Sequence, residues 1–257
     1  MSDRPLLVFD FDGVIVDGMD EYWWSARTAC ARLMGPTASA AALAGMPAGF
    51  RALRPWIHHG WEMVLMAALL QERDGLLQRL GVAAFVDDYA DHCRQALQAK
   101  GWTAPLLQQT LEQVRHAAVG SERGDWLARH RPFPGVPERL RSLDAEGVDW
   151  AVLTTKGRRF TAELLDALAL RPTLLFGHED GTKPDVLLQL KAQRPLRGLV
   201  EDRRPTLETV LATPGLEGLP CFLADWGYLR PIDREGVPEG IALLSLEQLA
   251  SPLADWP

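Results

Sequence analysis

The chain has 257 residues, 47% of them hydrophobic and 24% charged, with a formal net charge of −7. That length fits one large domain or a core with a smaller accessory domain, and the composition is ordinary for a globular protein. The acidic balance argues against nucleic-acid binding as the main activity, and no apolar run approaches the roughly 20 residues of a membrane-spanning helix.

Met1 to Pro5 leads directly into a strand-like run without a cleavable leader pattern, so a cytoplasmic protein is expected. Leu6-Leu7-Val8-Phe9 is short, continuous and apolar, and turn chemistry from Asp10 to Gly13 ends it, which reads as a buried parallel strand. From about Met19 to His130 the spacing becomes helical. The clearest stretches are Trp61 to Leu70, Ala83 to Leu97 and Leu106 to Ala118, and no strand is expected among them. Breaks are expected at Gly35-Pro36, Gly45-Met46-Pro47, Gly81, Gly101 and Ala104-Pro105. Six of the nine tryptophans fall in this stretch, where packing is the expected role of most. Cys30, Cys93 and Cys221 are far apart and odd in number, the pattern of reduced thiols and not of a disulfide framework or zinc site.

After Arg131-Pro132-Phe133-Pro134-Gly135 the order becomes alternating. A helix is expected over Val136 to Glu146, then a strand at Trp150 to Leu153. A helix Arg159 to Leu168, a strand Thr173 to Phe176 and a helix Pro184 to Gln193 follow. A strand Gly198 to Val200, a helix Pro205 to Ala212 and a strand Pro220 to Ala224 complete the series. Repeated β-α-β order implies an α/β fold, a doubly wound parallel sheet with helices on both faces. One strand precedes the helical block and four or five follow it. The simplest organisation is a core of residues 1–17 and 132–257, with a helical domain of residues 18–131 inserted after the first strand.

Ligands of open α/β sheets bind beyond the carboxyl ends of the strands. The first strand closes on Asp10-Phe11-Asp12-Gly13-Val14 and the second on Thr154-Thr155-Lys156. The turn before Pro184 supplies Lys183, and the strand ending at Val200 supplies Glu201-Asp202. Carboxylates, a hydroxyl and an ammonium facing one crevice suit phosphate chemistry with a hard cation. Mg²⁺ takes about six oxygen ligands, and Asp10, Asp202 and a backbone carbonyl near Asp12 can supply several. A carboxylate can attack phosphorus once the phosphoryl charge is screened, and a second carboxyl can protonate the leaving oxygen and then activate water. The competing reading of Asp10-x-Asp12 as an EF-hand loop fails. Its sixth position needs glycine and holds Ile15.

These motifs, in this order, resemble the haloacid-dehalogenase-like hydrolase superfamily, in the branch with a helical cap after the first motif. Asp10-Phe11-Asp12-Gly13-Val14 matches DxDG[VT], and Val152-Leu153-Thr154 the strand ending in Thr or Ser. Lys183-Pro184 matches the third motif and Glu201-Asp202 the acidic fourth. Phe133-Pro134-Gly135-Val136 resembles the return from cap to core, and Trp226-Gly227-Tyr228 a WGY that follows the fifth strand. The resemblance implies Asp10 as nucleophile and metal ligand, and Asp12 as general acid/base with its carbonyl on the metal. It implies Thr154, Thr155 and Lys183 as substrate-binding, with Thr154 and Lys183 on the phosphoryl group. Asp202 and Glu201 complete the metal set, with Mg²⁺ as cofactor. A further Asp often stands four residues after the first Asp of the fourth motif, and here that position, counted from Asp202, is Thr206.

The presence of Asp12 points to phosphate esters rather than carbon–halogen bonds. The implied partner is a small phosphorylated metabolite, not a nucleic acid or a membrane. The rival readings are a phosphoryl mutase and a catalytically silent binding protein on the same fold. Mutases of this branch carry a His shortly after the first motif, where this chain has Glu21-Tyr22-Trp23-Trp24. His58-His59 reads as a surface or helix-start pair and His178 as a solvated loop residue. Arg158-Arg159 and Arg203-Arg204 read as helix starts that can meet anionic substrate groups.

Overall fold

Leu6–Phe9 forms β1, whose four side chains are all fully buried. A strand covered on both faces has no use for alternation, which is why the run is continuously apolar. In the computed structural model, which describes residues 4–35 and 45–257, β1 lies inside a six-stranded sheet. Its companions are β4 (Asp149–Leu153), β5 (Leu174–Phe176), β6 (Leu196–Glu201), β7 (Cys221–Ala224) and β8 (Ile241–Leu244). The order is β5-β4-β1-β6-β7-β8, and every pairing is parallel. The chain runs outward from β1 through β4 to β5, then crosses to β6 on the other side of β1 and continues outward to β8. The strand order therefore reverses around β1, and a crevice opens at the carboxyl ends of β1 and its neighbours.

Helices α8 (Val136–Ser142), α9 (Arg158–Ala167), α10 (Lys183–Lys191), α11 (Arg204–Leu211) and α12 (Leu246–Ala250) belong to this unit. Leu6, Val8, Ala151, Leu153, Leu199, Cys221 and Leu223 face one side of the sheet and pack with Val186, Leu187 and Leu190 of α10 and Leu207 and Val210 of α11. Each leucine or valine so buried contributes about 1.5–3 kcal/mol relative to exposure. On these strands Trp150, Phe9 and Phe222 alternate to the other side, where Phe9 meets Trp150 edge-on at 6.3 Å and Phe222 meets Trp256 at 5.2 Å. The helix expected over Val136 to Glu146 tightens into a 3₁₀ turn at Leu143–Glu146. β8 makes five strands after the helical block, the larger of the two expected numbers.

The chain divides into two compact units. One is the chain up to Asp17 with Arg131–Pro257, and the other is Gly18–His130. Arg131 belongs with the sheet because it pairs with Asp17 in a two-residue antiparallel ribbon, β2 (Val16–Asp17) with β3 (Arg131–Pro132). Gly18 is not a left-handed hinge: its φ is −101°. A Cβ there would stand about 2.4 Å from the Tyr22 ring, so the position needs glycine for a close approach.

The second unit is helical throughout its described residues. It comprises α1 (Met19–Met34), α2 (Ala48–Leu53), α3 (Gly60–Gln71), α4 (Leu76–Asp87), α5 (Tyr89–Lys100), α6 (Ala104–Ser121) and α7 (Arg123–Ala128). α6 starts at Ala104, two residues before the expected Leu106, so Ala104-Pro105 forms its opening turn. Thr103 caps the helix by accepting the Leu106 N–H, and proline suits the first turn because its missing N–H has no intrahelical partner. The helix expected across Ala83 to Leu97 is broken at Asp88, which is non-helical, and Gly81 bends α4 with φ +74°. Pro36 lies outside the described residues.

A buried ion pair holds α1 to α6. Glu21 has no exposed surface, and Arg115 grips both its oxygens, Nε at 2.8 Å from Oε1 and Nη2 at 2.7 Å from Oε2. Ser25 donates to the same carboxylate, and Trp126 Nε1 does so at 3.2 Å. His130 packs against the Trp126 ring at 4.7 Å. The three cysteines are free and buried; burial pushes the Cys30 thiol up to about 11 and Cys93 and Cys221 to about 12.

Candidate active site

Asp10 is the first residue beyond β1, and its N–H donates to the Val200 carbonyl at 2.8 Å, prolonging the ladder with β6. β6 ends at Glu201, so Asp10 and Glu201 emerge side by side and Asp202 follows. The following loop folds tightly: the N–H groups of Val14, Ile15 and Val16 all donate to the Phe11 carbonyl. Gly13 lies at φ +94°, and a Cβ there would be 2.0 Å from Asp202 Oδ2. Only glycine permits both that backbone and that contact.

The carboxylates of Asp10, Glu201 and Asp202 are buried, with one oxygen from each within 4.8 Å of the others. Lys183 stands between two of them, Nζ at 2.7 Å from Asp10 Oδ1 and also bonded to Glu201 Oε2. It arrives there as the first residue of α10, where Thr182 caps the helix by accepting the Asp185 N–H and Pro184 fits the opening turn. Burial is the largest influence on Asp10. With the Glu201 and Asp12 charges it outweighs the pull of Lys183 and pushes the carboxyl up to about 6. Burial likewise raises Glu201 above the usual carboxylate range, against the pull of Lys183. Burial alone would depress the Lys183 ammonium, but the Asp10 and Glu201 charges reverse this and leave it above the ordinary lysine value.

Thr154 follows β4, buried, its N–H bonded to the Phe176 carbonyl and its hydroxyl accepting the Lys156 N–H at 3.1 Å. That turn aims Lys156 back toward the first loop. Its ammonium is 3.2 Å from both oxygens of Asp12, and its side chain is only 2% exposed. Thr155 is exposed and makes no side-chain hydrogen bond among the described residues. Of the residues expected from the sequence, Asp10, Glu201, Asp202 and Lys183 converge, Asp12 and Thr154 join through Lys156, and Thr155 stands apart.

Two functional candidates lacked a role in the sequence reading. Lys156 was visible only as the last letter of Thr-Thr-Lys, and a lysine after a strand is ordinarily solvated. Tyr228 was visible only within Trp-Gly-Tyr. Its N–H donates to Asp202 Oδ2 at 2.8 Å. Two of the four arginines considered for the substrate are tied elsewhere: Arg158 to Asp180, and Arg204 to Glu208 and to carbonyls of residues 232, 235 and 236. His178 is half exposed beside Glu179.

The donor set fits a hard divalent cation. It offers only oxygens, and three buried carboxylates face one lysine, leaving excess negative charge when all are ionised.

Comparison with known proteins agrees with this geometry. The family model of haloacid dehalogenase-like hydrolases matches residues 5–194. A phosphoglycolate phosphatase of Pseudomonas putida is 26% identical over 247 residues, covering 90% of this chain and 73% of its own. A phosphoglycolate phosphatase of Mesorhizobium japonicum is 24% identical, covering 93% and 90%. Among solved structures, a haloacid dehalogenase-like hydrolase from Streptococcus pneumoniae matches with a TM-score of 0.54 at 14% identity, over 97% of this chain and 98% of that one. The chain belongs to the haloacid dehalogenase-like hydrolase family and is an enzyme.

Proposed function

We propose that the protein is a Mg²⁺-dependent phosphatase that cleaves a small phosphorylated metabolite through an aspartyl-phosphate. The observation that carries this is the convergence of Asp10, Glu201 and Asp202 around Lys183 at the carboxyl ends of β1 and β6. Asp10, Asp202 and Glu201, with the Asp12 carbonyl, would hold the cation, which when bound supplies screening of phosphoryl charge. Asp10 attacks phosphorus, and Lys183 and Thr154 hold the equatorial oxygens. Asp12 gives a proton to the leaving oxygen and later takes one from the water that hydrolyses the acyl-phosphate. Lys156, bridging both Asp12 oxygens, fixes that carboxyl's rotamer. Residues 18–130 serve as the cap that selects the substrate and excludes water during attack. The names of the two bacterial relatives make 2-phosphoglycolate the first substrate to try.

The test is phosphate release from a panel of small phosphorylated metabolites, 2-phosphoglycolate included, in Mg²⁺ and in chelator. Release that needs Mg²⁺ supports the reading. Equal rates in chelator would sink the metal, and isomerised sugar phosphate without free phosphate would make the enzyme a mutase.

Mg²⁺ affinity should depend on pH because the cation binds the ionised form of Asp10. With that carboxyl at about 6, a proton competes below pH 6 and leaves the site alone above it. Affinity by calorimetry should be level from pH 7 to 8 and fall about tenfold per unit below 6. A constant affinity from pH 7 to pH 5 contradicts this.

Lys183→Ala should lower kcat/KM by about 10²–10³, as does loss of one donor to a developing oxyanion. Lys183→Arg should restore little, since a planar fork does not reproduce a point charge between two buried carboxylates. Wild-type activity in the Arg variant would reduce the lysine to a structural charge.

A further inference from the structure

The Trp226-Gly227-Tyr228 segment beyond β7 touches every loop that builds the site's acidic side. Trp226 Nε1 donates to the Val14 carbonyl at 3.0 Å. Gly227 packs so closely that a Cβ would lie 2.2 Å from Asp202 Cβ and 2.7 Å from the Gly13 carbonyl oxygen. Tyr228 uses both its ends. Its backbone N–H donates to Asp202 Oδ2 at 2.8 Å, and its hydroxyl donates to Asp17 Oδ1 at 2.7 Å. Asp17 lies in β2, paired with Arg131 of β3. That ribbon contains the points where the chain leaves the sheet unit and returns to it.

We propose that Tyr228 is a positioning residue that ties the orientation of Asp202 to the β2–β3 ribbon through Asp17, so that a divalent cation bound at Asp10, Glu201 and Asp202 also orders the ribbon. This rests on the metal reading of the site. The physical case has three parts. A ribbon of two residues per strand is too short to hold itself, so its order comes from tertiary anchors such as this one. The two bonds run from one residue whose ring is rigid, and both end on carboxylates, where hydrogen bonds are roughly twice as strong as neutral ones. Asp202 has little slack, because Gly13 and Gly227 fill the space around it. Fixing its carboxylate on a cation therefore fixes Tyr228, and the phenol hydroxyl fixes Asp17.

The experiment is hydrogen–deuterium exchange on the full chain with and without MgCl₂ alone, read at peptides covering residues 15–18 and 130–133. In the wild type, Mg²⁺ should slow ribbon exchange by about tenfold, as expected when a ligand suppresses a local opening. Tyr228→Phe retains the ring and the N–H bond to Asp202. It should bind Mg²⁺ by calorimetry within about twofold of the wild type yet lose the ribbon protection. Asp17→Ala should lose it equally, Asp17→Asn should restore it as an acceptor, and combining Tyr228→Phe with Asp17→Ala should add nothing further. If Tyr228→Phe fails to fold, Asp17→Ala reads the same bond from its other end. Full ribbon protection in Tyr228→Phe or in Asp17→Ala overturns the proposal. Mg²⁺ binding without ribbon protection in the wild type overturns it alone, whereas no Mg²⁺ binding overturns the metal reading and the proposal together.

Discussion

Asp10→Asn should leave a folded protein whose phosphate release is about 10⁴–10⁶ slower, the scale seen when the nucleophile of a concerted catalytic set is removed. The amide fills the same volume but lacks the anionic oxygen that attacks phosphorus, and it is a weaker ligand for a hard cation. Folding should not suffer. Asp10 is a buried carboxylate beside Glu201, and burial already pushes it up to about 6, so neutralising it removes a crowded charge. Lys183 keeps its bond to Glu201 in the variant. Thermal unfolding and a phosphate-release assay on the same preparation settle the matter. A folded Asp10→Asn enzyme within tenfold of wild-type activity removes Asp10 from the nucleophile's role.

Arg115→Met should destabilise the protein by about 3–5 kcal/mol, the usual cost of leaving one partner of a buried ion pair uncompensated. Glu21 is fully buried and Arg115 supplies its two-point contact, so the methionine removes that guanidinium from a carboxylate held inside a helix interface, with Ser25 and Trp126 still donating and His130 Nε2 3.9 Å away. The double variant Glu21→Gln with Arg115→Met should recover much of the loss, because the stranded charge is gone. The loss should appear as a lower urea midpoint of the helical unit. A change under about 1 kcal/mol would mean that water reaches the pair and screens it.

The sheet was legible in the chain because its strands are buried on both faces and punctuated at both ends. Leu6-Leu7-Val8-Phe9 could be read without error, since a four-residue apolar run ended by Asp-x-Asp-Gly has few alternative structures. The helical unit was legible as helical, and the breaks at Gly35, Pro47, Gly81 and Gly101 stand where glycine and proline put them, but the break at Asp88 was not legible. Asp88 interrupts a run whose spacing reads as continuous, and α6 begins at Ala104, two residues before the expected Leu106, because proline suits the first turn. β8 was legible only as the optional fifth strand, because no chemical motif marks its end. The ribbon β2–β3 has no periodicity to detect, being two residues per strand.

Which side chains lie at the strand ends follows from the chain alone. That follows from local chemistry: a parallel strand ends where a turn begins, and the residues of that turn project from the carboxyl edge. The sequence therefore named Asp10, Asp12, Thr154, Lys183, Glu201 and Asp202 as neighbours in one crevice. Which of them touch depends on how distant segments pack. Lys183 and Asp10 are 173 positions apart, and Lys156 and Asp12 are 144 apart. The Thr182 cap that starts α10 at Lys183 is local, but which carboxylate the ammonium reaches depends on the sheet order around β1, which no local window encodes. The same holds for Tyr228, whose two bonds to Asp202 and Asp17 exist because Gly13 and Gly227 let three loops pack without side chains between them. The role of a glycine that makes room is invisible until the group that fills the room is known.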